Sequence, residues 1–315
     1  MLIGIDLGGT KVSALVLDER GGERARLRRP TPTGYAETLD VLAELVAELE
    51  ALAGARNLPV GLGLPGLVDP VAGTVRAVNL PWLAGHAFGS DLGARLGRPV
   101  PMANDANCFT LSEAIDGAAE GAAVVFGAIL GTGVGGGIVV NGRCLNGAHG
   151  IAGEWGHTPL PWRKEADGAP ILCGCGRIGC IETIISGRGL CNLYDQNNET
   201  MDTSVAIAQK AALGDTAAIY ALNLYFSALA RALAFVINFL DPDVIVLGGG
   251  VSELPGILNN VSALWGEMAL IGQPRTRLVK ARFGADSGVR GAARLAVQEQ
   301  STWNAASGIK SGLKT

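Results

Sequence analysis

Half of the cysteines in this sequence lie in one short glycine-rich stretch. Cys173, Cys175 and Cys180 fall within ILCGCGRIGC, residues 171–180, in a chain that has six cysteines among its 315 residues. A chain of this length with 48% apolar residues can bury a large core, so it has no need of disulfides for stability. The three cysteines therefore suggest either metal binding or thiol chemistry. Whether disulfides can form depends on the cellular compartment of the protein.

The start of the sequence and its charge indicate the compartment of the protein and the partners it can bind. MLIGIDLGGTKVSALVL has neither a basic leader nor an unbroken apolar run, and FSALARALAFVINFL carries Arg231 and is short for a membrane span. We therefore expect a cytoplasmic protein with no membrane partner, whose thiols stay reduced. The net charge is −4 and the basic residues are scattered, so we expect no direct binding to nucleic acid.

Several glycine clusters could approach a phosphate group. GLGLPG (61–66) and GTGVGG (131–136) both match G-x-G-x-x-G, but neither is followed by the helix that a Rossmann dinucleotide site requires. A glycine hairpin can still bind phosphate, because residues without Cβ let backbone N–H groups point inward. Each cluster could equally be a tight turn with no ligand. LGGG (247–250) after an apolar run is a third candidate of the same kind.

One carboxylate stands at a position where catalytic groups are common. Asn104 and Asp105 lie at the carboxyl end of the predicted strand RPVPMAND and precede the predicted helix ANCFTLSEAIDGAA. Ligands of open α/β sheets gather at the carboxyl ends of strands, so Asp105 could accept a proton from a substrate. Capping the helix that follows is an equally good role for the same side chain.

The elements that would position these residues occur twice along the chain. LIGID and KVSALVLD predict a hairpin around Gly8-Gly9-Thr10, and helical spacing predicts an amphipathic helix from Tyr35 to Ala53. AVVFGAIL, GTGVGGG and IVVNG repeat the hairpin pattern near residue 120, and a long helix at 216–240 leads into VIVLGGG. This order predicts a duplicated α/β architecture.

We predict two lobes and a tail. The first lobe covers 1–118 and the second 119–298, with a last helix, SGVRGAARLAVQ, that could pack back on the first lobe. The polar segment 299–315 is expected to be a disordered tail.

Seven motifs together resemble the ROK family of bacterial sugar kinases and repressors. They occur in family order over residues 1 to 298 and read DLGGTK (6–11), GLGLPG (61–66), NDAN (104–107), LGTGVGGG (130–137), GEWGH (153–157), CGCGRIGCIE (173–182) and LGGG (247–250). The resemblance implies the two-domain, actin-like ATPase fold of the sugar kinase and actin superfamily. It also implies ATP and Mg²⁺ as cofactors, a hexose substrate and a homodimer.

The resemblance also implies a role for individual residues of this chain. Asp105 would be the catalytic base that accepts the proton of the attacking hydroxyl. The residues implied to bind the sugar are Gly66, Asn79, Asn104, Asp105, Glu154, His157 and Glu182. Those implied to bind the nucleotide and its Mg²⁺ are Asp6, Gly8, Gly9, Thr10, Lys11, Thr132, Gly133, Gly249 and Gly250.

The cysteine group can now be interpreted together with a histidine. His157 lies sixteen residues before Cys173, and three thiolates with one imidazole form a set that structural Zn²⁺ prefers. C-x-C alone is weaker evidence than C-x-x-C, because small buried cysteines are ordinary apolar residues. The resemblance to zinc-containing ROK members favours zinc, with His157, Cys173, Cys175 and Cys180 as ligands.

Three functions fit this pattern to different degrees. We expect an ATP-dependent hexose kinase that phosphorylates a 6-hydroxyl group, with fructose and also mannose as the favoured substrates and N-acetylglucosamine or glucose as alternatives. A repressor of the same family would carry a helix-turn-helix before the first hairpin, which begins here at residue 2. A non-catalytic sugar-binding module would not need Asp6, Asp105 and two phosphate hairpins.

Overall fold

A computed structural model describes residues 1–77, 79–195 and 202–309, with side chains described as far as residue 298. Its strands are β1 Leu2–Leu7, β2 Lys11–Leu17, β3 Glu23–Pro30, β4 Val60–Leu64, β5 Leu67–Val68, β6 Val75–Arg76, β7 Met102–Asn104, β8 Val124–Leu130, β9 Val134–Val140, β10 Arg143–Cys144, β11 Val244–Gly248 and β12 Arg277–Lys280.

The α-helices of the described residues include one of 25 residues. They are α1 Tyr35–Leu52, α2 Phe88–Leu96, α3 Asp105–Ile115, α4 Glu182–Ile185, α5 Gly187–Asp195, α6 Ser204–Ala212, α7 Thr216–Leu240, α8 Ile257–Trp265 and α9 Ser287–Ile309. The predicted hairpin, the helix from Tyr35 and the long helix at 216–240 are confirmed.

The chain forms two compact units, and each unit is built from more than one segment of the sequence. Unit 1 contains 1–120, 142–152 and 286–315, and unit 2 contains 121–141 and 153–285. The second lobe was predicted as one continuous segment, 119–298. Unit 2 differs from it because residues 119–120, 142–152 and 286–298 belong to unit 1. The segments at 142–152 and from 286 belong to unit 1 because they pack on its helices and strands.

The segment 299–315 was predicted to be a disordered tail. Helix α9 continues to Ile309, and the remaining predicted tail at 310–315 lies outside the described residues. The segment QEQSTWNAAS contains neither proline nor glycine, so nothing in it stops the helix.

In unit 1, the mixed sheet has the order β3-β2-β1-β4-β7. β1 pairs with β2 as an antiparallel hairpin and with β4 in parallel, and β4 pairs with β7 in parallel. The apolar stripe of α1, which includes Leu42, Val46 and Leu49, is buried against this sheet. The carboxyl ends of β1, β4 and β7 therefore lie side by side, and these ends carry Asp6, Leu64 and Asn104.

Helix α9 packs against β1, β4 and α3 at unusually short range. A Cβ atom at Gly4 would lie 2.1 Å from the carbonyl oxygen of Val289, and one at Gly61 would lie 2.0 Å from that of Ala292. A Cβ atom at Gly291 would lie 1.7 Å from the carbonyl oxygen of Cys108. Glycine is required at these positions because backbone meets backbone there, so the small residues of SGVRGAARL serve close helix packing.

In unit 2, the strands β9, β8, β11 and β12 follow one another in that order. β8 and β9 form an antiparallel hairpin, while β8–β11 and β11–β12 are parallel. This repeats the hairpin and parallel strands of unit 1, so the predicted duplicated α/β architecture is confirmed.

Helix α7 is the centre of the core of unit 2. Its length and composition would allow it to cross a membrane, and it is longer than the apolar stretch considered in the sequence, but 61% of its most apolar window is buried in the protein. Arg231 on this helix is buried and paired with the buried Asp167 through two hydrogen bonds of 2.8 and 2.5 Å. The guanidinium also donates to the carbonyl of Trp162 at 2.9 Å, so α7 holds the loop that follows His157.

Candidate active site and metal centre

The first hairpin turn of unit 1 carries the residues predicted to meet the phosphates. Gly8 donates its N–H to the carbonyl of Lys11 at 3.0 Å, which closes the turn between β1 and β2. Gly9, Thr10 and Lys11 are exposed. A Cβ atom at Gly9 would lie 3.7 Å from Cβ of Asn79, so the predicted sugar-binding residue Asn79 lies beside this turn, where it is also exposed.

Asp6 and Asp105 are partly buried carboxylates of unit 1 whose negative charges interact. Burial raises the pKa of Asp6 from 3.8 to about 6, the negative charge of Asp105 raises it further, and Lys11 opposes the shift. Burial also raises the pKa of Asp105, against hydrogen bonds from the Ala106 N–H and the Asn104 side chain. Two interacting carboxylates in a buried position are a frequent arrangement of catalytic sites.

The cap of helix α3 is Asn104, not Asp105. The side chain of Asn104 accepts a hydrogen bond from the Ala106 N–H at 2.8 Å and donates one to the carbonyl of Gly66 at 2.9 Å. Asp105 is the first residue of the helix, and its Oδ1 accepts from the same N–H at 2.9 Å. Asn104 therefore supplies the cap, which makes the capping role unnecessary for Asp105. It also connects Gly66 to the start of α3.

Gly66 has a backbone conformation that favours glycine. Its φ is +108°, and a Cβ atom there would lie 2.4 Å from the carbonyl oxygen of Arg76. The residue therefore allows the segment after β4 to turn close to β6. Gly66 and Asn104 are in contact, whereas the contact of Asn79 is with the first hairpin turn.

The second hairpin, in unit 2, is linked to Glu182. Gly131 donates its N–H to the carbonyl of Gly133 at 2.9 Å, and Thr132 is exposed at the tip. Oε2 of Glu182 accepts from the Val134 N–H at 3.0 Å, and a Cβ atom at Gly133 would lie 2.5 Å from the same oxygen. Glycine at position 133 thus makes room for the carboxylate that holds the start of β9.

The three cysteines and His157 converge in unit 2. Their ligand atoms all lie within 4.8 Å of one another. Nδ1 of His157 is 3.6 Å from Sγ of Cys173, and the Sγ atoms of Cys175 and Cys180 are 3.7 Å apart. Thiolates bound tetrahedrally at a Zn–S distance of about 2.3 Å would have sulfur atoms about 3.8 Å apart, so the set fits Zn²⁺.

The geometry of this cluster also involves the two predicted sugar-binding glutamates. Nε2 of His157, the ring nitrogen that does not face Cys173, lies 4.0 Å from Oε2 of Glu154. Sγ of Cys173 lies 3.5 Å from Oε1 of Glu182. The cluster therefore lies between two carboxylates. Nδ1 of His157 faces the thiol of Cys173, and Nε2 faces the carboxylate of Glu154.

Gly249 places the turn after β11 against the end of β8, the first strand of the second hairpin. Its φ is +80°, and a Cβ atom there would lie 2.3 Å from the carbonyl oxygen of Leu130. Gly250 starts the 3-10 turn that follows. Gly250 and Thr132 both line a pocket of about 670 Å³ in unit 2.

The same pocket contains residues that the sequence patterns did not single out. They come from α5 and from the start of α6 and include Arg188, Asn192, Asp195 and Thr203. None of these four residues lies in one of the seven motifs. The sequence signal for them was that SGRGL, residues 186–190, follows the cysteine motif after three intervening residues. The pocket wall opposite the glycine turns could not be deduced from that signal.

Comparison with known proteins agrees with this geometry. The ROK family profile matches residues 2–299. The chain belongs to the ROK family. An N-acetyl-D-glucosamine kinase of Salmonella paratyphi B is 38% identical over 304 residues, which cover 94% of this chain and 99% of that protein. The coverage extends over both units.

Solved structures of ROK enzymes show the same fold. The ROK hexokinase of Thermus thermophilus has a TM-score of 0.86 and 34% identity, covering 96% of this chain and 99% of its own. The ROK glucokinase of Streptomyces griseus, solved with glucose and AMPPNP, has a TM-score of 0.74 and 30% identity, with 94% and 99% covered. This ROK protein is a sugar kinase with the actin-like ATPase fold. These relatives do not support the predicted preference for fructose.

The raised pKa of the partly buried Asp6 predicts that a neutral side chain at this position stabilises the ligand-free protein. Asp6→Asn should raise the stability of the ligand-free protein at pH 7 to 8 by up to about 3 kcal/mol, because one pKa unit corresponds to about 1.4 kcal/mol. The folded pKa of Asp6 is raised above the unfolded value, so the contribution of Asp6 to stability is fully present below pH 3.8 and is lost as pH rises through about 6. The difference in melting temperature between variant and wild type should therefore grow over this window.

Asp69→Asn is the matched control for this measurement. Hydrogen bonds from the N–H groups of Ala72 and Val71 lower the pKa of Asp69, so its ionised form favours the folded state. Asp69→Asn should not stabilise the protein at any pH. Thermal unfolding from pH 4 to pH 8 would contradict the assignment if Asp6→Asn melted at or below the wild-type temperature at pH 8.

Proposed function

We propose that the protein is an ATP-dependent N-acetylglucosamine kinase that phosphorylates the 6-hydroxyl group of the sugar. The observation that carries this proposal is the 38% identity to an N-acetyl-D-glucosamine kinase over 94% of the chain. Fructose, mannose and glucose are the competing substrates. We also propose that the enzyme is a cytoplasmic homodimer, which rests on the family resemblance alone.

The proposed chemistry in unit 1 centres on Asp105. Its carboxylate accepts the proton of the sugar hydroxyl as that oxygen forms a bond to the γ-phosphorus, and the bond from the γ-phosphorus to the β-phosphate oxygen breaks to release ADP. A raised pKa brings a carboxylate nearer to the operating pH, which suits a general base. Asn104, Gly66 and Asn79 are proposed to bind sugar hydroxyls in this unit.

Asp6 and the first hairpin turn are proposed to act on the phosphates. Mg²⁺, when bound, neutralises charge on the phosphoryl groups, and the Asp6 carboxylate is the oxygen donor of this chain placed to hold it. The exposed backbone of Gly8, Gly9 and Thr10 would contact phosphate oxygens, with the ammonium of Lys11 beside it.

The proposed role of unit 2 is to bind the rest of both substrates. Thr132 and Gly133 would contact the phosphates, and Gly249 and Gly250 would border the adenosine. Of these four residues, Thr132 and Gly250 line the 670 Å³ pocket. Glu154, His157 and Glu182 would accept or donate hydrogen bonds to sugar hydroxyls. The contact between Glu182 and Val134 supports a link between the sugar-binding groups and the second phosphate hairpin.

We propose that Zn²⁺ in the cysteine cluster is structural. His157, Cys173, Cys175 and Cys180 supply four protein ligands, so a tetrahedral sphere is complete and holds no activated water. The contacts from His157 and Cys173 to Glu154 and Glu182 support a role in holding these carboxylates.

The preferred sugar is tested by comparing kcat/KM for N-acetylglucosamine, glucose, mannose and fructose. N-acetylglucosamine is expected to lead by tenfold or more, which corresponds to about 1.4 kcal/mol of transition-state preference. A lead for fructose would restore the first expectation from the sequence. Absence of turnover with every sugar, despite sugar binding, would contradict kinase activity itself.

Asp105→Asn tests the base. The substitution keeps size and hydrogen bonding but removes the proton acceptor, so kcat should fall by about 10² to 10⁴-fold while sugar affinity changes little. Asp91→Asn is the control, because Asp91 also lies in the first turn of a helix, α2, outside the site. If Asp105→Asn kept more than a tenth of wild-type kcat with chemistry rate-limiting, another base would be needed.

Cys175→Ser tests the metal. Serine is a poorer ligand, so zinc content should fall well below one per chain and the sugar KM should rise, while the KM for ATP stays close to wild type. The control Cys144→Ser removes a thiol that is outside the cluster. Protein purified without a metal-affinity tag should be used for elemental analysis. Full activity in zinc-free protein would exclude the proposed role.

A further inference from the structure

Helix α5 contributes one whole wall of the pocket in unit 2 and has a different charge at each end. Arg188 lies in its first turn and Asp195 is its last residue, and both line the pocket. Arg188 and Asp195 are seven residues apart on this helix, so their Cα atoms are about 10 Å apart along its axis at about 1.5 Å per residue. An elongated ligand lying along this wall would therefore meet a cation at one end and a carboxylate at the other.

The cationic end is fixed against the second hairpin. The N–H of Gly187 donates to the carbonyl of Gly131 at 2.8 Å, and Gly189 is held by the hydroxyl of Ser186 at 3.1 Å. A Cβ atom at Gly187 would lie 3.2 Å from the Gly131 oxygen, so glycine permits this close start of the helix. The exposed guanidinium of Arg188 thus begins beside the hairpin tip, where the positive end of the helix dipole also favours an anion.

The carboxylate end has an oxygen without a partner. Oδ1 of Asp195 is buried and accepts no hydrogen bond from the residues that the structure describes. The nearby pocket residue Asp202 differs, because it is paired with Lys210 at 2.7 Å. A buried acceptor that lacks a donor is costly unless a ligand supplies one. The Asp195 end therefore suits a hydroxyl or amino donor rather than a phosphate.

We infer that Arg188 and Asp195 set the direction of the bound nucleotide, with Arg188 contacting the phosphates of ATP and Asp195 accepting a hydrogen bond from the nucleoside. This inference rests on the proposed kinase function and extends its nucleotide site. The nucleoside donor is either a ribose hydroxyl or the amino group of adenine, which share the same donor chemistry. Both residues are specificity determinants, and neither takes part in proton transfer.

The test is a set of equilibrium titrations of the full-length protein with ATP, 2′-deoxy-ATP, 3′-deoxy-ATP and inosine triphosphate. Asp195→Ala should weaken ATP binding by about tenfold or more, since it removes a hydrogen bond to a charged acceptor. It should weaken binding of one analogue, the one that lacks the donor, by less than twofold. The identity of that analogue distinguishes a ribose hydroxyl from the adenine amino group.

Arg188→Ala should act at the other end of the nucleotide. It should weaken ATP and all three analogues by the same factor, and Arg188→Lys should recover part of the loss because it keeps the charge. Arg277→Ala removes an exposed arginine of unit 2 outside the pocket and should leave every affinity unchanged. Equal losses with ATP and all analogues in Asp195→Ala, or no loss in Arg188→Ala, would overturn the inference.

The titrations separate this inference from the proposed function. If wild-type protein binds ATP but phosphorylates no sugar, the kinase proposal fails while the orientation is still decided by the variants. If sugar is phosphorylated but neither variant changes ATP affinity, the orientation fails alone. Neither variant should melt below wild type, because Arg188 is exposed and Asp195 has a buried oxygen that lacks a partner among the described residues.

Discussion

The partial burial of two carboxylates, Asp6 and Asp105, is the constraint on which the candidate site of unit 1 depends. A buried carboxylate is unfavourable unless its charge is compensated, and the raised pKa values of this pair show that the free protein compensates it only in part. Lys11 and the Ala106 N–H supply some compensation. The remaining demand for positive charge is what Mg²⁺ and a nucleotide can satisfy, so the same burial that lowers stability favours binding.

Close backbone packing keeps these carboxylates in place. Helix α9 lies within van der Waals range of β1, β4 and α3 only because Gly4, Gly61 and Gly291 have no side chains. α9 also starts beside Asp6, where a Cβ atom at Gly288 would lie 3.6 Å from the carboxylate. A late segment of the chain thus forms part of the floor of the site in unit 1, and its motif is explained by packing rather than by direct chemistry.

Unit 2 uses Glu182 to connect two features that are separate in the sequence. One carboxylate oxygen holds the backbone of β9 after the second hairpin, and the other lies near the thiol of Cys173. The buried pair of Arg231 and Asp167 holds the loop that leads from His157 towards the cysteines. The group of His157 and three cysteines, the hairpin and the core helix α7 are therefore linked by these contacts within this unit.

The sequence alone determined the local features of this protein. The two glycine hairpins, the long helix α7, the strand before Asp105 and the duplicated order of elements follow from periodicity and turn chemistry, which act between near neighbours. The four proposed metal ligands were also named from the sequence, where the resemblance to the family decided an interpretation that the spacing of His157 and the cysteines left open. Seven motifs in order were enough to indicate the family and a sugar kinase.

Only the tertiary structure decided how distant segments meet. It paired Asp6 with Asp105, returned α9 to unit 1, assigned the cap of α3 to Asn104, and placed Arg188 and Asp195 along one pocket wall. These relations depend on long-range backbone contacts, and neither periodicity nor local spacing encodes which distant segments come into contact. The choice among sugars was likewise beyond the motifs, because the motifs that indicate the family do not separate its N-acetylglucosamine kinases from its other sugar kinases.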